Sequence, residues 1–163
     1  IRVPLIIKWP GVAKAGSVVS DPVTSTDFYP SGLAAAGLPA RPHQHRDGVN
    51  LQSILTGAAP LADRALFWHY PHYNEHPSSV PSSVIRKGPW KLVKGKRFPA
   101  EAVWELYNIH ADPTEQHDLA TQNPALVAAL AQEWDQWVER TGSLVKNPPP
   151  VAPNPSKKKA TKS

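Results

Sequence analysis

The pattern of apolar and polar positions predicts a buried strand and two short helices in the first part of the chain. Residues 3–9 form an almost unbroken apolar run that Pro10 and Gly11 close, which is typical of a strand buried on both faces of an α/β sheet. Hydroxyl side chains at 24–26 are good N-caps for a helix that ends near Gly37. Residues 51–57 predict a second, shorter amphipathic helix.

The pattern changes from Leu66 onward to that of short antiparallel strands. Aromatic and β-branched residues concentrate in segments that Pro and Gly separate, and this composition favours strands. The predicted strands are 66–70, 83–85, 90–93 and 103–107. We expect a tight turn at 87–89 and a longer, exposed and basic hairpin loop at 94–102.

A long amphipathic helix is predicted near the end of the chain. Asn123 is a good N-cap, Pro124 suits the first helical position and Gly142 ends the pattern. Large apolar residues repeat on one face of this helix, at Leu126, Leu130, Trp134 and Trp137. We therefore expect the two Trp side chains to pack against the sheet as core anchors.

The charge of the chain is concentrated at its end. The 163 residues carry a formal net charge of +5, but residues 147–163 hold 4 Lys and no acid, which leaves 14 Lys and Arg against 13 Asp and Glu elsewhere. We expect the Pro-rich and Lys-rich segment 146–163 to be a disordered tail, and we expect no nucleic-acid partner. No apolar run approaches the ~18 residues of a membrane span, so we expect none.

Five segments in fixed order resemble the C-terminal portion of type I sulfatases, the formylglycine-dependent enzymes of the alkaline phosphatase superfamily. The resemblance covers residues 1–142. The segments are 1–11 (IRVPLIIKWPG), 47–57 (DGVNLQSILTG), 66–73 (LFWHYPHY), 82–93 (SSVIRKGPWKLV) and 105–119 (ELYNIHADPTEQHDL).

This resemblance implies an α/β fold of the alkaline phosphatase-like, sulfatase type. Residues 1–60 would be the end of the catalytic domain, with its last strand and helix. Residues 61–145 would be a C-terminal subdomain, in which a small antiparallel sheet is packed by the terminal helix. Residues 146–163 would be the tail.

The resemblance also implies hydrolysis of sulfate esters, on glycans or aryl sulfates, by a periplasmic or secreted enzyme. In that family a formylglycine made from a C/S-x-P-x-R motif is the nucleophile, and a calcium ion stabilises charge. The chain begins at Ile1 and contains no Met, no Cys and no S-x-P-x-R sequence. We therefore expect a C-terminal part of a longer protein, inactive without the missing N-terminal catalytic region, and we assign no catalytic or metal residue here.

Candidate substrate-binding residues lie in the histidine-rich segment and near it. His, Tyr and Arg supply donors for sulfate oxygens, and aromatic faces stack on sugar rings. The resemblance places this segment at the rim of the active-site cleft. The candidates are His69, His72, Tyr73 and Arg86. The alternative for each is a structural role, as a hydrogen bond that holds the loop or as the base of a hairpin.

Two other interpretations of the chemistry remain open. Asp112, Glu115 and Asp118 could suggest acid/base catalysis, but Asp before Pro is a turn initiator, and we expect a turn-and-cap role. The whole chain could also belong to a related phosphodiester or phosphonate hydrolase, or be a non-catalytic module that binds glycans or polyanions.

Overall fold

A computed structural model describes residues 3–70, 81–95 and 103–142. The chain divides between Arg64 and Ala65 into two compact units. The first contains a 3₁₀ turn (Ser25–Asp27) and two helices, α1 (Phe28–Ala35) and α2 (Gln52–Thr56). The second contains a four-stranded sheet and one long helix. The sequence assignment of 1–60 to a catalytic domain and of 61–145 to a subdomain remains a prediction.

The two short helices of the first unit are where the sequence predicts them. Thr24 is the N-cap of the 3₁₀ turn, which runs directly into α1. Gly37, just after α1, has a φ of 66°, and Gly57, the C-cap of α2, has a φ of 74°. Both values lie in the left-handed region that favours glycine, which explains why the helices end there.

The predicted strand at 3–9 is wrong for the part of the chain that the structure describes. Residues 3–9 have no regular secondary structure, and Val3 and Ile6 are 81% and 94% exposed. A strand needs a neighbour to take its backbone N–H and C=O groups. The first unit contains no other strand in its described residues. The apolar run therefore has no sheet to join within this unit.

A buried carboxylate holds the first unit together. Asp27 is fully buried, and Arg64 donates to both of its oxygens, over 2.8 Å to Oδ1 and 2.6 Å to Oδ2. The backbone N–H groups of Thr24 and Val49 donate to the same carboxylate over 2.8 and 2.9 Å. Burial alone would raise the pKa of Asp27, but these hydrogen bonds and the Arg64 charge hold its pKa below the ordinary value.

The second unit is built on an antiparallel sheet in the order β1-β2-β3-β4. Its strands are β1 (Ala65–Tyr70), β2 (Ser82–Lys87), β3 (Trp90–Lys94) and β4 (Trp104–Asn108). All four strands are confirmed, each within a few residues of its predicted bounds. Gly88 (φ 54°) and Pro89 form the two-residue turn between β2 and β3, as predicted. Most of the predicted 94–102 loop lies outside the described residues, as does the 146–163 tail.

The long helix α3 (Pro124–Thr141) covers one face of this sheet. It begins at Pro124 and ends at Gly142, which has a φ of 65°. Trp134 is 5% exposed and belongs to the core, and Trp137 stacks on Phe67 with ring centroids 5.1 Å apart. The prediction that both Trp residues anchor the helix is confirmed. The core residues are Ile85, Leu92 and Leu106 from the sheet with Leu130, Trp134 and Val138 from α3.

The segment after β4 is a set of carboxylate-capped turns. Asp118 Oδ1 accepts from the backbone N–H of Leu106 in β4 and of Ala120, both over 2.9 Å. Asp112 Oδ2 accepts from the N–H groups of Gln116 and His117, and these hydrogen bonds lower the pKa of Asp112. The predicted turn-and-cap role is therefore confirmed for Asp112 and Asp118. It is wrong for Glu115, whose carboxylate pairs with Lys91 instead.

We predict that Trp134→Ala destabilises the chain by about 3–5 kcal/mol, because it removes a large buried side chain from the core and leaves a cavity. Gln136→Ala, on the exposed face of the same helix, is the control and should change stability by less than about 0.5 kcal/mol. Denaturant unfolding monitored by circular dichroism gives both values. Equal effects of the two substitutions would contradict the packing described here.

We predict that Asp27→Asn costs about 3–5 kcal/mol at neutral pH, because it leaves the largely buried Arg64 guanidinium without its ionic partner. A carboxyl with a lowered folded-state pKa stabilises the fold above its unfolded-state value of about 3.9, and this stability is lost as the pH falls through the folded-state pKa. The difference between wild type and variant should therefore shrink below about pH 4. The exposed Asp63→Asn is the control, and a cost that does not depend on pH would refute this explanation.

Candidate substrate-binding site

His69 lies near the end of β1, on the sheet face that α3 covers. It is half-buried and pairs in register with Ser83, whose Oγ is 3.5 Å from its Nδ1. Its ring meets Trp134 edge-on, with centroids 5.9 Å apart. These contacts fix the ring in place. They are compatible both with substrate binding by His69 and with a purely structural role.

Arg86 lies on the opposite face of the sheet. It is three residues beyond Ser83 in β2, and side chains alternate between faces along a strand. Its register partners are Leu66 in β1 and Lys91 in β3. His69 and Arg86 therefore do not face a common ligand across this sheet.

His72, Tyr73 and His76 lie outside the described residues. The chain leaves β1 at Tyr70, which is 56% exposed, and the next described strand begins at Ser82. The histidine-rich segment is therefore attached to the end of the sheet that carries His69. We call this end, where β1 and β3 finish and β2 and β4 begin, the His69 end of the sheet.

A row of four side chains crosses the His69 end on the α3 face. The register pairs His69 with Ser83, Ser83 with Lys94 and Lys94 with Trp104. Lys94 Nζ is 5.7 Å from the Trp104 ring centroid, within the usual range of a cation–π contact. Trp104 also meets Trp134 edge-on, with centroids 5.7 Å apart.

Sequence reasoning missed Lys94 and Trp104 as site candidates. Each belongs to a strand-like segment, but the contact between them depends on the register of β3 against β4. The connection between those strands is long, so its length does not fix the register as a two-residue turn does. The sequence therefore carries no signal that would bring Lys94 and Trp104 together.

Two kinds of feature are absent from the described part of the chain, a cluster of metal ligands and a membrane-spanning helix. Within 3–70, 81–95 and 103–142, no group of three or more His, Cys, Asp or Glu could hold a metal ion. No helix in this part of the chain is long and apolar enough to cross a membrane.

The chain is similar to known proteins over most of its length. The family described as N-sulphoglucosamine sulphohydrolase, C-terminal, matches residues 1–140. The chain belongs to this sulfatase family. The match includes the apolar run at 3–9, the whole sheet and nearly all of α3, which confirms the resemblance to C-terminal portions of sulfatases and the expected fold class.

Individual sulfatases give the same result. The chain is 36% identical over 135 residues to a sulfatase of Formosa agariphila, covering 77% of this chain and 24% of that protein. It is 32% identical over 152 residues to an N-acetylglucosamine-6-O-sulfatase of Bacteroides thetaiotaomicron, covering 91% of this chain and 26% of that protein. The chain therefore spans about a quarter of the length of the curated relatives it matches.

A solved sulfatase structure has the same fold in this region. BT4656, in complex with its substrate D-glucosamine-2-N,6-O-disulfate, superimposes with a TM-score of 0.70 at 27% identity. The similarity covers 87% of this chain and 29% of that chain.

We predict that His69→Ala lowers the free energy of unfolding by about 1–2 kcal/mol, because it removes the ring contact with Trp134 and the polar contact with Ser83. His110→Ala, at an exposed histidine after β4, is the control and should change stability by less than about 0.5 kcal/mol. Denaturant unfolding measures both. A loss no larger for His69→Ala than for His110→Ala would mean that His69 is not held by these contacts.

Proposed function

We propose that this chain is the C-terminal region of a sulfatase that hydrolyses sulfate esters of glycans or aryl sulfates. The observation that carries the proposal is the family match over residues 1–140, which includes both units of the structure. The fold supports it, since 87% of this chain matches, with a TM-score of 0.70, a sulfatase whose structure holds its sulfated substrate.

The reaction centre of such an enzyme would lie in the N-terminal catalytic region. In the sulfatases that this chain resembles, a formylglycine supplies the nucleophile and a calcium ion supplies positive charge beside the sulfate ester. The described residues of this chain do not fit a calcium site, since no group of three suitable side chains is present among them. The contribution that we propose for this chain is therefore to bind substrate and border the cleft.

A sulfated glycan is the substrate class that we favour. One relative is named an N-acetylglucosamine-6-O-sulfatase, and one structural neighbour holds D-glucosamine-2-N,6-O-disulfate as its substrate. Hydrogen-bonding and aromatic side chains of the kind that bind sugars meet at the His69 end of the sheet. These observations support a sulfated sugar over a simple aryl sulfate as the natural substrate.

We propose that His69, His72 and Tyr73 contact this substrate from the His69 end of the sheet. All three belong to one short stretch of sequence that begins in β1. Arg86 was a further candidate, but it lies on the other sheet face from His69. If Arg86 also contacts the substrate, it would therefore contact a different part of it than His69 does.

The cellular location is part of the same proposal. A sulfatase that acts on glycans meets its substrate outside the cytoplasm, so we propose a periplasmic or secreted enzyme. The bacterial sulfatases among the relatives are consistent with this location.

The test is sulfate release by the complete product of the gene that encodes this chain. It is incubated with glucosamine 6-sulfate, with 4-nitrocatechol sulfate and with a phosphonate monoester, and free sulfate and phosphonate are measured by ion chromatography. We predict sulfate release from at least one sulfate ester. Residues 1–163 alone should release none, because they contain no C/S-x-P-x-R motif.

Two results would contradict this proposal. Sulfate release by purified residues 1–163 above a buffer blank would show that the reaction does not need the upstream nucleophile. Cleavage of the phosphonate ester without any sulfate release would place the protein with the phosphonate hydrolases instead.

A further inference from the structure

Lys94 and Trp104 lie side by side at the His69 end of the sheet. They are register partners at the end of β3 and the start of β4, so their side chains emerge on the same face. Both are half-buried, and Lys94 Nζ is 5.7 Å from the Trp104 ring centroid. A cation and an aromatic face are therefore presented together.

Lys94 differs in its electrostatic surroundings from Lys87 and Lys91, the other two lysines of the hairpin that β2 and β3 form. Lys87 Nζ pairs with Glu133 over 2.9 Å, and Lys91 Nζ pairs with Glu115 over 2.5 Å. Within the described ranges, Lys94 has no carboxylate partner. Its ammonium lies over the neutral Trp104 ring, which does not cancel its charge. An anion could therefore approach Lys94 without displacing an acidic side chain of the described chain.

The backbone and ring that carry this pair are held in place. Trp104 meets the 5% exposed Trp134 edge-on, so one side of the indole packs against the core. Gly95, which follows Lys94, has a φ of 85°, and a Cβ there would lie 2.0 Å from the Pro81 carbonyl oxygen. Only glycine permits this close approach of β3 to the start of β2. A preorganised pair loses less entropy when it binds a ligand.

We propose that Lys94 and Trp104 form a binding site for a sulfated sugar residue of the substrate. The Lys94 ammonium would pair with the sulfate oxygens, and the indole of Trp104 would stack on the C–H face of the pyranose ring. His69 and Ser83 continue the row and supply hydrogen-bonding groups for sugar hydroxyls. This inference rests on the proposed function, because the sulfated sugar is the substrate class named there.

The chemistry of the pair selects among possible ligands. Free sulfate offers no ring for Trp104, and an unsulfated sugar offers no anion for Lys94. A sulfated sugar uses both side chains, so it should bind more tightly than either partial ligand.

Titration calorimetry on the complete gene product tests the site. The ligands are N-acetylglucosamine 6-sulfate, N-acetylglucosamine and sodium sulfate, with EDTA present to suppress turnover. Lys94→Gln should weaken binding of the sulfated sugar about tenfold and leave the uncharged N-acetylglucosamine unchanged. Trp104→Leu should weaken binding of both sugars. Lys87→Gln is the matched control, since it removes the same charge at the other end of the same sheet face, and it should stay within about twofold of wild type.

Several outcomes would overturn the proposal. These are an unchanged affinity in Lys94→Gln, an equal loss in Lys87→Gln, wild-type binding of sodium sulfate as tight as that of the sulfated sugar, or no binding of the sulfated sugar by wild type. Thermal melting of each variant checks that it is folded, and Lys94→Gln decides the result alone if Trp104→Leu does not fold.

The same preparations without EDTA separate this proposal from the proposed function. Sulfate release by wild type together with unchanged binding in Lys94→Gln would overturn only the Lys94 site. Absence of release, with binding that still depends on Lys94, would contradict only the hydrolytic function.

Discussion

The packing of Trp134 against the sheet is the contact on which the second unit depends. One indole, 5% exposed, belongs to the core of α3 and the sheet and also meets the rings of His69 and Trp104. A large aromatic side chain contributes much buried apolar surface from a single position. The same residue therefore holds the helix on the sheet and supports the two outer members of the row that we propose to bind substrate.

The first unit is organised in a different way, around a charge. Asp27 accepts from the nearby Thr24 and from Val49 and Arg64, which lie 22 and 37 residues further along the chain. Buried ion pairs contribute little net stability compared with apolar packing, but their geometry is specific. We infer that the Asp27 pair defines how the short helices and loops of this unit are arranged, while Val3, Leu5 and Ile6 remain exposed.

How much the sequence could predict depended on how local each signal was. α3 was predicted at both ends, because Pro124 and Gly142 act through their own backbone geometry. The strand at 3–9 was predicted wrongly, because an apolar run reports a tendency to be buried, and a strand forms only where a partner strand is present. The family match at 1–140 and the sheet were both expected from the order of the five segments.

The candidate site could be predicted only in part, for the same reason. His69 stands out in sequence because histidines and tyrosines cluster around it, whereas Lys94 and Trp104 are brought together by strand pairing across a long connection. Arg86 is a candidate in the sequence because a guanidinium can donate to sulfate oxygens, but the alternation of side chains in β2 places it on the opposite face. Spacing along the chain does not report which sheet face a residue occupies until the register is known.

The turn at Gly88 and Pro89 lies at the opposite end of the sheet from this row, yet it determines which side chains the row contains. It pairs Lys87 with Trp90, and every later pair of β2 and β3 follows from that one, including Ser83 with Lys94. An insertion of one residue in this turn would shift the pairing and send alternate side chains to the other face. The connections at the His69 end can change in length without this effect. The sheet therefore tolerates changes of length at the rim of the site, whereas the far turn has to keep its length.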